Sequence, residues 1–166
     1  MTELDPDSEQ IREVYAQYGL AMYQAQCVER CIAMLLSLMQ AHPRTTTRAV
    51  YSELLDRLFA STLGTLVHQI AVSAGTAPDL HTRLKDALAK RNWLAHNYFW
   101  DRAGHFPTER GRQKMIAELQ SIAAEFEALD TELEPLYQEL GRRAGVRESD
   151  TQKYLEEILA SAANEA

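Results

Sequence analysis

Only two cysteines occur in the 166 residues, Cys27 and Cys31. They stand four apart inside a helical pattern, which provides neither a disulfide framework nor a complete metal-ligand set, so core packing in a reducing compartment is their expected role. Glycine (7) and proline (5) are scarce and fall between periodic segments, so few turns interrupt the chain. No stretch alternates apolar and polar residues as a half-buried strand does. The longest apolar-rich run, CIAMLLSLM from Cys31 to Met39, falls far short of the roughly 20 residues that span a bilayer. Basic charge is also in deficit. With 24 acids against 17 bases and a net charge of −7, the chain is no bulk nucleic-acid coat, and any polyanion would need a local basic pocket. Phosphate-cradling glycine loops and the GxSxG nucleophile motif are missing. The opening MTELDPDSEQ is acidic and polar, unlike a secretory leader; a cytoplasmic location is expected, with no membrane association and no metal or other cofactor.

What is present is helical periodicity. A first helix is expected from Pro6, with Asp5 as N-cap, to about Gln40. Ile11, Val14, Tyr18, Ala21, Ala25, Val28, Ile32, Leu35 and Met39 recur on it at helical spacing. Its second half is apolar nearly all round, so it is either a central core helix or one that meets a second copy of the chain. Further helices are expected over about 46–60, 65–74, a fourth continuing to about Arg102, and a fifth over 107–140 stopped by GRRAG. A last helix, capped by Ser149 and Gln152, follows. The fold class is therefore all-α, an antiparallel bundle of five to six helices over residues 1–145. Residues 146–166 form a C-terminal helical extension that packs on the bundle or on a partner. Glu118, Glu125, Glu127, Asp130, Glu132 and Glu134 read as the solvated face of the fifth helix, whereas Arg83, Lys85, Lys90, Arg91 and Arg102 make a local basic patch on the fourth.

The stretch KRNWLAHNYFW, Lys90 to Trp100, concentrates the unusual chemistry. On a helical wheel with Leu80 at zero, Leu84, Ala87, Leu94 and Tyr98 define the inward stripe, and Arg91 falls inside it at about 20°. A guanidinium there requires an acid or an opening in the packing, because a buried unpaired charge is costly. Asn92 and His96, four apart, share a different side, and the amide is placed to orient the imidazole. Arg91 and His96 lie about 140° apart, a geometry suited to a site completed across a symmetric dimer. Trp93, Phe99 and Trp100 are candidates to stack an unpaired base, though core packing is the commoner role of such rings.

The string RNWLAH followed by NYF, preceded by LHTRLKDALAK, resembles the signature of the HEPN superfamily: an arginine, four to six residues, then a histidine, commonly with asparagine directly after the arginine. FASTLGTLVHQI upstream is similar to a helix–TLG–helix segment of some members, so the resemblance covers about Val50 to His105. It implies an all-α, dimerising, metal-independent endoribonuclease, often of a toxin–antitoxin or defence system, leaving 2′,3′-cyclic phosphate ends. Arg91 and His96 are then the catalytic candidates with Asn92 in support, and Lys90, Trp100 and Arg102 the RNA-binding ones. In one branch, a tyrosine two residues after the histidine is modified with AMP by a nucleotidyltransferase antitoxin, and Tyr98 stands there. Some members are inactive, so the alternative expectation is a non-catalytic helical module binding a nucleotide or a partner protein. The chemistry suits the residues: an imidazole titrating near neutrality moves the 2′-OH and 5′-oxygen protons, and a guanidinium donates paired hydrogen bonds to phosphorane oxygens.

Overall fold

A computed structural model describes residues 6–42, 45–72, 78–145, 156 and 160. These form α1 (Pro6–Gln40), α2 (Arg48–Phe59), α3 (Leu63–Val72), α4 (Pro78–His96), α5 (Tyr98–Asp101) and α6 (Glu109–Ala144), with no strand among the described residues. The all-α expectation holds. The N-cap Asp5 and the final capped helix from Ser149 lie outside the described residues.

Local chemistry sets most boundaries. Thr47 caps α2 by accepting from Val50 N at 3.4 Å. Thr62 accepts from Thr65 N at 3.3 Å, so α3 begins before the expected Thr65. Thr108 accepts from Gly111 N at 3.1 Å and starts α6. α6 passes through Gly141 and stops at Gly145, whose φ of 84° is the left-handed cap that glycine adopts without strain. It is therefore longer than the expected 107–140. The expected continuous fourth helix is broken: Asn97, at φ −128° and ψ −17°, separates α4 from the single turn of α5. Gly111 lets the preceding loop lie on α6, since a Cβ there would overlap the His105 carbonyl.

α1 is the axis of the molecule. It packs against α2, α3, α4 and, most extensively, α6, which buries Val14, Ala21, Val28, Ile32, Leu35 and Leu36. Thus α1's second half finds its cover within its own chain. The helices around it are not uniformly antiparallel. Asp7 pairs with Arg112 and Cys31 with Asp130, contacts that advance together, so α1 and α6 run in the same direction. α4 returns against both: Tyr18 Oη donates to Leu94 O at 3.1 Å, and Arg83 meets Glu132 while Lys90 meets Glu125.

Among the described residues, the two buried polar side chains, Ser37 and Arg112, are both engaged. Ser37 Oγ donates to Met34 O at 2.7 Å and lies 2.9 Å from Tyr51 Oη. Arg112 donates to Gln10 Oε1 at 3.0 Å, to Phe106 O at 3.3 Å and to Asp7, tying the start of α6 to the start of α1. Burial pushes the Cys31 thiol up to about 12, with Asp130 and Glu134 adding to the effect. An unfolded thiol ionises near about 8.5, so between these values the unfolded chain has lost a proton that the native one keeps. Stability from this group is complete below about pH 8.5 and falls as pH rises. Urea unfolding followed from pH 8 to pH 11 should show a declining midpoint, with a shallower decline in Cys31→Ala. Equal slopes would contradict this account.

Candidate functional site

α4 places its residues largely as the wheel requires. Leu80, Leu84, Leu94 and Tyr98 are buried, and Asn92 and His96 are exposed. Arg91 is drawn inward, its side chain 28% exposed. The group opposite it is an acid of its own chain: Arg91 Nη2 lies 3.5 Å from Glu29 Oε2 on α1, and Nη1 donates to Asn92 Oδ1 at 3.3 Å. Both are long contacts, and the buried Arg91 Nε finds no acceptor among the described residues. The Asn92 amide oxygen thus faces Arg91, not the imidazole that it was expected to orient. Glu29 escaped the sequence reading, although an acid on the inward edge of α1 is what the position of Arg91 demands.

The basic patch on α4 is largely neutralised. Arg83 pairs with Asp79 and Glu132, Lys90 with Glu125, and Arg102 with Glu118 through two bonds of 2.8 and 2.6 Å. Glu118, Glu125 and Glu132 recur every seven residues on α6 and form a ladder toward Arg102 and α4; Glu125, Glu127, Glu132 and Glu134 remain exposed, as the solvated-face reading expects, while Glu118 and Asp130 are partly buried. Of the expected RNA-binding residues, Lys90 and Arg102 are engaged in these pairs, and Arg102 also sits 5.0 Å from the centroid of Trp93. Trp100 stands in water, 84% exposed. Trp93 instead donates from its indole nitrogen to Asp101 at 2.7 Å, and Phe99 packs among Tyr15, Tyr18 and Phe106.

Tyr98 is buried, with its ring edge-on to Trp93 and Phe99. Its hydroxyl donates to Met115 O at 3.3 Å, and burial, reinforced by Glu118, drives its pKa well above the ordinary phenolic value. Modification of this oxygen requires the aromatic cluster to open first. Among the described residues, no group of histidine, cysteine and carboxylate side chains could hold a metal ion, and no helix is long and apolar enough to cross a membrane.

The exposed end of α4 therefore carries an imidazole, an amide and, one short turn on, an indole, with a partly buried guanidinium on the adjoining edge. Such a set can move protons, donate to an anion and stack on a ring. No family model, curated protein or solved structure matches the chain.

Tyr98→Phe should cost about 0.5–1.5 kcal/mol in chemical unfolding, the net value of one hydrogen bond, and leave the fold intact. A native protein whose Tyr98 hydroxyl exchanged freely with solvent reagents would contradict the buried placement.

Proposed function

We propose that the protein is a metal-independent endoribonuclease of the HEPN type, acting in a toxin–antitoxin or defence system through a site that two copies of the chain complete. The observation that carries this reading is the exposure of Asn92, His96 and Trp100 together at the end of α4 while Arg91 beside them remains loosely held. His96 accepts the 2′-OH proton of RNA or protonates the leaving 5′-oxygen. The 2′-oxygen attacks phosphorus, the P–O5′ bond breaks, and the products carry a 2′,3′-cyclic phosphate and a 5′-hydroxyl. Arg91 donates to the non-bridging oxygens as charge accumulates.

Arg91 is turned toward α1 and His96 faces water at about 140° of helical phase from it. A twofold pairing of α4 with its copy supplies each imidazole with the guanidinium of the other chain. Tyr98 as an antitoxin's modification target belongs to the same reading and depends on opening of the α5 cluster.

The Glu29–Arg91 contact favours a second reading, a non-catalytic helical module in which Arg91 is a structural ion-pair partner. Incubating the purified protein with end-labelled RNA in EDTA separates the two. The enzyme reading expects fragments ending in 2′,3′-cyclic phosphate and a His96→Ala rate lower by roughly 10²–10⁴. Unreduced cleavage by Arg91→Ala/His96→Ala would overturn it, and intact RNA with the wild-type protein would favour the module.

A further inference from the structure

A cleft of about 320 Å³ opens where α1, α2, α3 and α4 meet, lined by Arg91 but not by His96. Its floor includes the buried Leu58 and Leu66. Arg30, Arg91 and Glu29 also line it, together with the part-exposed Phe59. Two guanidiniums against one carboxylate leave a local positive excess in a chain of net charge −7. Arg83 and Arg102 are held by close carboxylates, whereas Arg91 has only long contacts, to Glu29 at 3.5 Å and to the Asn92 amide oxygen at 3.3 Å. Arg30 lies flat enough on Phe59 for a cation–π contact, 4.3 Å from the ring centroid. Phe59 thereby holds a planar cation at the cleft mouth, although the ring itself stays 37% exposed.

We propose that this cleft binds one nucleotide unit, its base stacked on the Arg30–Phe59 pair and its phosphate held by Arg91. The parts match the chemistry. A guanidinium plane braced by an aromatic ring is a platform for a base of any sequence. An arginine whose terminal nitrogens meet only an amide oxygen at 3.3 Å and a carboxylate at 3.5 Å has donors to offer a phosphate, because neither contact saturates them. The volume sits at the small end of ligand pockets and suits one nucleotide better than two. The inference rests on the RNA reading of Arg91 and extends it by naming where the residue next to the attacked phosphate sits.

Binding, measured separately from cleavage, tests it. The full chain is titrated calorimetrically with a 5′-mononucleotide, with a short single-stranded RNA carrying 2′-O-methyl groups so that it cannot be cut, and with inorganic phosphate. Both nucleotide probes should bind, and phosphate should bind at least about tenfold more weakly. A single strand binding much more tightly than the mononucleotide identifies RNA as the source of the unit, and equal binding identifies a free nucleotide. Phe59→Leu, which keeps apolar volume without the ring, and Arg30→Lys, which keeps charge without the plane, should each weaken nucleotide binding by about tenfold or more, the scale of one lost base stack. Unchanged affinity in both variants, or phosphate binding as tightly as the nucleotide, overturns the proposal. Binding with these losses but without cleavage of unmodified RNA leaves the cleft standing and removes the ribonuclease reading. Cleavage without such losses removes the cleft and leaves that reading.

Discussion

The burial of the second half of α1 on nearly all sides is the constraint from which the rest follows. Its second half is apolar around most of its circumference, so it must be surrounded, and the chain surrounds it with α2, α3, α4 and α6. Burying side chains such as Ile32, Leu35 and Leu36 stabilises by about 1.5–3 kcal/mol each. Charged neighbours on the enclosing helices must adapt. α4 can offer its Leu80–Leu84–Leu94 stripe, continued by Tyr98 of α5, to the core only by carrying Arg91 inward with it. Glu29 on α1 receives that charge. The arrangement is loose because the axis helix was placed by apolar packing, with the ion pair taking what distance remained.

The same packing explains why the surface of α4 is quiet where its composition suggests a polyanion site. Glu118, Glu125 and Glu132 meet Arg102, Lys90 and Arg83 in antiparallel order. Exposed pairs of this kind contribute little to stability; their effect is to remove free positive charge from most of the helix. Arg91, which shares its cleft with Arg30 of α1, keeps only long contacts, while the exposed end carries His96 and, one turn on, Trp100.

Much of this was legible in the residues. Helical spacing gave α1 almost to the residue and placed Tyr98 inside and Asn92 and His96 outside, because an apolar stripe records burial locally. The position of Arg91 inside the stripe already required a counter-charge. The identity of that counter-charge was not legible, since Glu29 lies 62 positions away and only the packing of α4 on α1 brings it near. The parallel course of α1 and α6 and the α6 ladder were hidden for the same reason: periodicity fixes a face, but not the neighbour that the face meets. The break at Asn97 was missed because nothing in HNYFW forbids helix; the aromatic cluster of Tyr15, Tyr18, Phe99 and Phe106 lies against the turn that follows the break.

The central claim is that the reactive site needs Arg91 of one chain and His96 of another. Mixing is its most direct measurement: Arg91→Ala and His96→Ala proteins, each inactive alone, are unfolded together, refolded and assayed for RNA cleavage in EDTA. Random pairing makes half the dimers mixed, each with one intact composite site of two, so the account predicts recovery of about a quarter of wild-type activity. Mixed dimers that form and remain as inactive as either parent would contradict it.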